Sequence, residues 1–578
     1  MRRSRLLTRV FLRRFLENDL ISPDTDHMQV VAAVVGGLFG SGMVVTVFIS
    51  LKYLGPFPSP GRAAVLDVAD QFLFCTWPML VMAAVALVEW EALGFDARDS
   101  IILGQLPISR TSIVLAKLRG IVLFASIFLA SVTLIPAVLH PVSVFASLRA
   151  SLATVAAVMG AQLLSACAAG LFGFSVALAA REAMHAVLGA RLFRRVSRVL
   201  QAALLTVCAT LVLLMPLASP GTLERAAQAR AAPSVLPPDW FVALYETVGG
   251  HLIAQLPTPS LPARTARSER QSSANYRAAA PAFVILSRRA QGALLIACVL
   301  AIGGFAWNAR RLAPPSLDSK RGGAARWASR AGAVLVPRHA TARAAFLFTG
   351  KTMARGMSQR MAMVAAIAAA LGASLVVVHA SIRHVGGPAT AIFAMEPFSV
   401  AVLLGAFRHA IRLPADIRAA WCVPLTWQGH VRQYFAGVKR AAIVWIVVPS
   451  TLVFLPIYTW IAGWRSALWL AALGFLLGCV LLDALLLGHR TLPFMSEHVP
   501  AENLHTRGPL YLVGLLAGAY WFGALEQAAL LDAGGRDSLA VTLIAIVLVL
   551  RIADARRRRG SWAGLEFESE GAMAFFVE

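Results

Sequence analysis

Long, unbroken apolar blocks decide what this chain can fold into. Twelve of them run roughly over 28–51, 70–89, 113–139, 151–180, 199–217, 290–307, 361–380, 391–407, 441–460, 466–488, 509–530 and 538–552. A bilayer core takes about 20 helical residues to cross. Backbone exposed to lipid must satisfy its own hydrogen bonds, so each block is expected to be a helix. An outer-membrane barrel would alternate polar and apolar residues instead. Only 14% of the 578 residues are charged and 58% are hydrophobic. Mean hydropathy is +0.70. That leaves too little polar surface for a set of soluble domains. The expected fold class is all-α: a polytopic helical membrane protein with about twelve transmembrane helices in two parallel six-helix repeats.

The net charge of +24 has a topological rather than a nucleic-acid meaning. With the N-terminus inside, 39 of the 53 Lys and Arg fall in inner segments, and 8 of the remaining 14 lie in the long outer loop 218–289. Long loops are weak orientation signals, so the contrast elsewhere predicts a bacterial inner membrane with both termini cytoplasmic. Six scattered cysteines show no CxxC spacing, which argues against a zinc site or a disulfide framework. The first residues, MRRSRLLTRVFLRRF, lack the apolar core and cleavage site of a signal peptide.

The blocks divide into two sets of six: 1–307 and 343–552, joined by a basic linker over 308–342 and followed by a tail over 553–578. Asp99 precedes Pro107 by eight residues, and Asp416 precedes Pro424 by eight, each in the inner loop after the second span of its half. A hydroxyl residue suited to starting a helix follows each proline, Ser109 or Thr426. Lys117 and Lys439 then stand at the mouth of the next span. Each half opens on an amphipathic stretch, 1–20 and 343–357. In the first, Leu7, Phe11 and Phe15 oppose Arg2, Arg5, Arg9 and Arg13; in the second, Phe346, Gly350, Met353 and Met357 oppose Lys351 and Arg355, with Phe348 out of pattern.

The run GFDARDSIILGQLPISRTSIVLAKL, with an amphipathic helix and six spans per half, resembles the permease of type-2 ATP-binding-cassette (ABC) exporters, here with two half-transporters in one chain. The second copy, with Pro424, Thr426 and Lys439, matches less closely. The resemblance covers the layout of the whole chain, whereas the local motif covers only loops 90–119 and 408–440. It implies that Asp99, Pro107, Ser109, Lys117, Asp416, Pro424, Thr426 and Lys439 couple the chain to ABC-type ATPase subunits, two of them, on the cytoplasmic face. It implies no catalytic residue and no cofactor or metal in this chain, with ATP and magnesium on the partner. Membrane lipid is an expected partner and nucleic acid is not; a homodimer is left open. No substrate class is legible.

Other motifs weigh less. Residues 345–352 loosely match a phosphate loop, but bulky Phe346, Leu347 and Phe348 and the missing first glycine argue against nucleotide binding. Acids and histidines over 483–505 lack metal-site spacing. Asp483 is expected to pair with His489 or Arg490, Glu526 to reach water at the outer end of its span, and Gln162 to bridge helices. Gly36, Gly37, Gly40 and Gly42 suggest close helix packing. The loop 218–289 reads as partly disordered, with one helix whose face is Phe241, Leu244, Val248 and Leu252. The competing function is an ion-coupled secondary transporter of the major-facilitator kind, disfavoured because the loop after the second span is about 24 residues long with its own helix and mid-membrane charge is nearly absent; a non-transporting membrane enzyme or scaffold is the third reading.

Overall fold

The computed structural model describes residues 2–16, 27–53, 60–94, 109–148, 151–228, 236–256, 263–310, 337–383, 390–413, 430–487, 489, 492–494 and 504–558. These residues are almost entirely helical, with no strand among them. Ten helices are long and apolar enough to cross a membrane. The chain divides into two compact units, Met1–Leu317 and Asp318–Glu578.

Unit 1 contains α1 (Arg2–Leu16), α2 (His27–Ser50), α3 (Pro60–Val88), the short α4 (Trp90–Leu93), α5 (Arg110–Leu148), α6 (Leu152–Ala218), α7 (Thr222–Gln228), α8 (Pro237–Val248) and α9 (Ala263–Arg310). The amphipathic helix α1 lies on α5, with Phe11 and Phe15 buried while Arg9, Arg13 and Arg14 face outward. A side chain at Gly120 of α5 would begin 3.3 Å from Phe11 and Phe15, so glycine makes the seat for both rings. The Ser151 hydroxyl caps α6 by accepting from the Thr154 amide at 3.2 Å.

Several boundaries differ from the sequence expectation. The second span begins at Pro60 rather than 70, which brings Asp67 and Asp70 inside α3. The expected inner loop 180–198 is helical. Its chain turns at Gly189, whose φ of 69° is costly for any residue with a Cβ. The outer loop 218–289 is ordered over 222–228, 237–248, 250–255 and 263–289. Helix α8 is a core element, because Phe241, Val242, Ala243 and Tyr245 have no exposed surface. Its expected apolar face holds at Phe241 and Leu244 but not at Val248, which is 47% exposed. Of the glycine run, only Gly42 packs closely, 3.5 Å from Pro136; positions 36, 37 and 40 meet nothing within 4 Å.

Unit 2 contains α10 (Ala340–Arg355), α11 (Met357–Arg383), α12 (Thr390–Phe393), α13 (Met395–Ala410), α14 (Val431–Ala442), α15 (Val448–Leu486), α16 (Leu504–Leu531) and α17 (Ala533–Arg557). A π-helical turn, Ile443–Val447, joins α14 to α15, so the predicted ninth and tenth spans form one helical run bent at Gly463, with φ of 78°. Trp460 and Trp464 beside that bend are 83% and 63% exposed, as aromatic rings at a membrane interface would be. Helix α16 coincides with the eleventh predicted span but stands outside the ten helices above. Residues 345–352 lie within α10, so no phosphate loop forms. The buried face of α10 is Ala342, Ala345, Phe346, Thr349 and Thr352, rotated from the expected face because it docks closely on α14. A Cβ at Gly437 of α14 would collide with the Ala342 carbonyl.

Replacing Gly437 with leucine is therefore expected to lift α10 from α14 and cost about 1–3 kcal/mol, the usual range for overpacking. The thermal unfolding midpoint of the purified chain checks it, with Gly405→Ala as control, since a Cβ there meets nothing within 4 Å.

Candidate functional site

At the base of unit 1, Ser109 starts α5. Its carbonyl accepts from the Ser112 and Ile113 amides at 3.0 and 3.2 Å, and its hydroxyl accepts from the Ser112 amide at 3.3 Å. The helix then runs through Lys117 to Leu148. Lys117 is enclosed: it is 2% exposed, donates to the Gly94 carbonyl and lies 5.5 Å from the Phe11 ring centre. It thus ties α1, α5 and the end of α4 together. Nearby, Arg181 donates to the Trp90 carbonyl at 2.6 Å and pairs with Glu182, while Asn308 at the end of α9 donates to the Glu182 carbonyl at 2.9 Å.

Unit 2 carries an ionic knot. The Lys439 ammonium meets Asp483 Oδ1 at 2.7 Å and Asp554 Oδ2 at 2.8 Å. Arg551 completes Asp483 at 3.2 Å and Arg558 completes Asp554 at 2.6 Å. Arg558 also lies 3.7 Å over the Phe435 ring. Asp483 therefore pairs with Lys439 and Arg551, not with His489; Arg490 lies outside the described residues. A lysine and an arginine at salt-bridge distance outcompete a histidine whose pKa is pushed down to about 4, chiefly by burial and then by Arg412, Arg408 and Arg558. Of the expected coupling residues, Ser109, Lys117 and Lys439 are thereby located; Asp99, Pro107, Asp416, Pro424 and Thr426 lie outside the described residues.

A second polar site occupies the other end of unit 1, about 35 Å along α5 from Lys117 by helical rise. Asp67 on α3 accepts from the Tyr245 hydroxyl at 2.8 Å and meets His140 Nε2 at 2.9 Å. One turn on, Asp70 accepts from the Tyr53 hydroxyl at 2.5 Å and pairs with Lys52. Arg225 grips Asp239 through two bonds of 2.8 and 2.9 Å, and Glu269 accepts from the Gly61 amide at 2.6 Å. Beside them opens a cavity of about 640 Å³, lined by Glu246, His251, Ser273, Tyr276 and Arg277 among others. Glu246 accepts from the Tyr276 hydroxyl. Burial and the charge of Asp67 push the Glu246 carboxyl up to about 8. These pairs lock α3, α5, α8 and α9 together.

In unit 2, helices α13, α15 and α16 enclose a second group of polar side chains. Glu396 (α13), Tyr458 (α15) and Glu526 (α16) each have no exposed surface; apart from a loose contact between the Tyr458 hydroxyl and the Glu396 carboxyl, neither carboxyl nor the phenol has a hydrogen-bond partner among the described residues. Glu526 therefore does not reach water, contrary to the sequence reading; α16 packs against α12, α13 and α17. Gln162 does bridge helices, donating to the Pro136 carbonyl at 3.1 Å.

The sequence reading left out Asp67, Asp70 and Glu396, all of which lie inside long apolar helices. Asp67, Asp70 and Gln71 share a helical i, i+3, i+4 spacing that would have marked the site had the span been started at 60. Among the described residues no group of three or more metal-ligating side chains is placed to hold a metal. Comparison with known proteins gives no match to any family model, curated protein or solved structure. The chain is a many-spanning helical membrane protein of transporter-like build.

Lys439→Met is expected to destabilise unit 2 by about 1–3 kcal/mol, below the usual cost of breaking a buried pair because Arg551 and Arg558 still neutralise the aspartates; chemical or thermal unfolding in detergent measures it. Glu246 predicts a pH dependence. Its folded pKa lies above the ordinary 4.5, so its stabilising contribution is complete below about pH 4.5 and is lost as pH rises through about 8. Relative to Glu246→Gln, whose amide does not titrate, the wild type should lose unfolding midpoint steadily across that window.

Proposed function

We propose that the chain is the permease of an ABC-type exporter, with two six-span halves in one polypeptide. ATP is hydrolysed on separate subunits at the cytoplasmic face of a bacterial inner membrane. Twelve crossings follow if the run Val431–Leu486 crosses twice about Gly463 and α16 spans. The observation that carries the reading is the repeated arrangement at the base of each unit. An amphipathic helix is seated on a glycine of the helix that follows the proposed coupling loop: α1 at Gly120 of α5, and α10 at Gly437 of α14. A motor pressing on the loop needs a stiff element that continues into the membrane. Helix α5, capped at Ser109 and 39 residues long, has that form. The ties of Lys117 and Lys439 brace such levers rather than touch the ATPase themselves.

A second reading, an ion-coupled transporter, is favoured by the enclosed carboxyls Glu396 and Glu526. The two separate by experiment. Where a neighbouring reading frame encodes an ABC-type ATPase, the chain should co-purify with that ATPase on co-expression. Replacing 99–108 and 416–425 with Gly-Ser sequence, leaving Lys117 and Lys439 intact, should cut co-purification about tenfold or more, equivalent to about 1.4 kcal/mol of binding. Transport that persists in proteoliposomes with an ion gradient and no ATPase would reject the proposal.

A further inference from the structure

Enclosed polar atoms without partners are costly, about 1–3 kcal/mol each and more when charged. Elsewhere among the described residues they occur mostly as single atoms, such as Trp77 Nε1 or Thr210 Oγ1. In unit 2 they gather. Both oxygens of Glu396, both of Glu526, the Tyr458 hydroxyl and the Ser399 hydroxyl are buried and unpartnered among the described residues. Glu396 and Ser399 stand one turn apart on α13, Tyr458 is on α15 and Glu526 is on α16. Tyr458 lies close enough to both carboxyls to feel their charge and makes a loose contact with the Glu396 carboxyl, and the carboxyls feel each other, yet Glu526 has no hydrogen-bond partner among the described residues. The fold makes room for Glu396: a Cβ at Gly474 of α15 would collide with its carboxyl. No other ionisable side chain among the described residues acts on Glu396, Glu526 or Tyr458.

We propose that Glu396 and Glu526, with Tyr458 and Ser399, form a binding site for a small, hard, monovalent cation, a proton or Na⁺. Six oxygens and no nitrogen or sulfur donor suit a hard cation. Two facing carboxylates in a dry setting cannot both stay ionised without compensation. One proton shared between them removes one charge, and a second proton or one Na⁺ removes the other. A divalent ion fits less well, since its desolvation cost grows with the square of the charge and the site offers no water-exposed edge to offset it. The inference is independent of ATPase coupling.

A hydrophobic, fluorescent carbodiimide tests it on the full chain in detergent or vesicles. The reagent takes only a protonated carboxyl in an apolar setting: the acid O–H adds across a C=N bond, the oxygen bonding to carbon and the proton going to nitrogen. Mass spectrometry should place the adduct on Glu396 or Glu526. If the occupant is a proton, labelling in sodium-free medium falls by about tenfold per pH unit once the pair titrates. If it is Na⁺, labelling is suppressed by Na⁺ and not by choline at equal ionic strength, and Na⁺ raises the unfolding midpoint by about 2 °C or more. Glu526→Gln should abolish either response, and Glu396→Gln provides a second variant where the first does not fold. An adduct indifferent to both pH and Na⁺, protection by divalent ions alone, or no adduct together with an unfolding midpoint unmoved by pH and Na⁺ overturns the proposal.

Discussion

A polar side chain inside a membrane helix has no water to fall back on, and this constraint organises both units. Apart from Glu396 and Glu526, the enclosed Asp, Glu and Lys side chains described above are joined across helices, and those joints help decide which helices hold together. Asp67 gathers α3, α5 and α8 through His140 and Tyr245. Lys439 gathers α14, α15 and α17 through Asp483 and Asp554. Apolar packing between helices gains little in lipid, because the surroundings are equally apolar. The polar joints therefore carry much of the specificity of assembly.

The helical, many-spanning character of the chain was legible from its apolar blocks alone, because their length and the demand for internal backbone hydrogen bonds leave no other regular structure. Details failed where tertiary contacts override local hydropathy. The start of α3 was set ten residues late because Arg62 and Asp67 lower the average there, although both sit in a helix whose polar groups are satisfied by Glu269 and His140. Segment 218–289 looked like a soluble loop. Asp239, Glu246 and Tyr276 within it are instead enclosed, which only the three-dimensional pairing of Arg225 with Asp239 and of Tyr276 with Glu246 makes favourable. Gly189 and Gly463, where helical runs bend, carry no sequence signal that distinguishes them from the many other glycines.

The site residues divide in the same way. Ser109 could be anticipated as a helix start because capping is local. Lys117 and Lys439 were recognisable as basic residues near helix ends, but their enclosure could not be read, since it depends on Gly94 and on Asp483 and Asp554, far away in the chain. Glu396 went unnoticed within an apolar block, and Glu526 was assigned to water because its distance along the helix suggested the surface. Sequence position gives depth along a helix; it does not say which face a neighbour covers.

The tie between Lys439 and Asp554 has a mechanical corollary. Because α14 and α17 share one ammonium group, a rotation imposed at the foot of α14 is delivered to the last helix without passing through the intervening turns. A spectroscopic label placed just after Arg558 would therefore act as a lever arm, amplifying small angular strokes of α14 into displacements large enough to follow in real time.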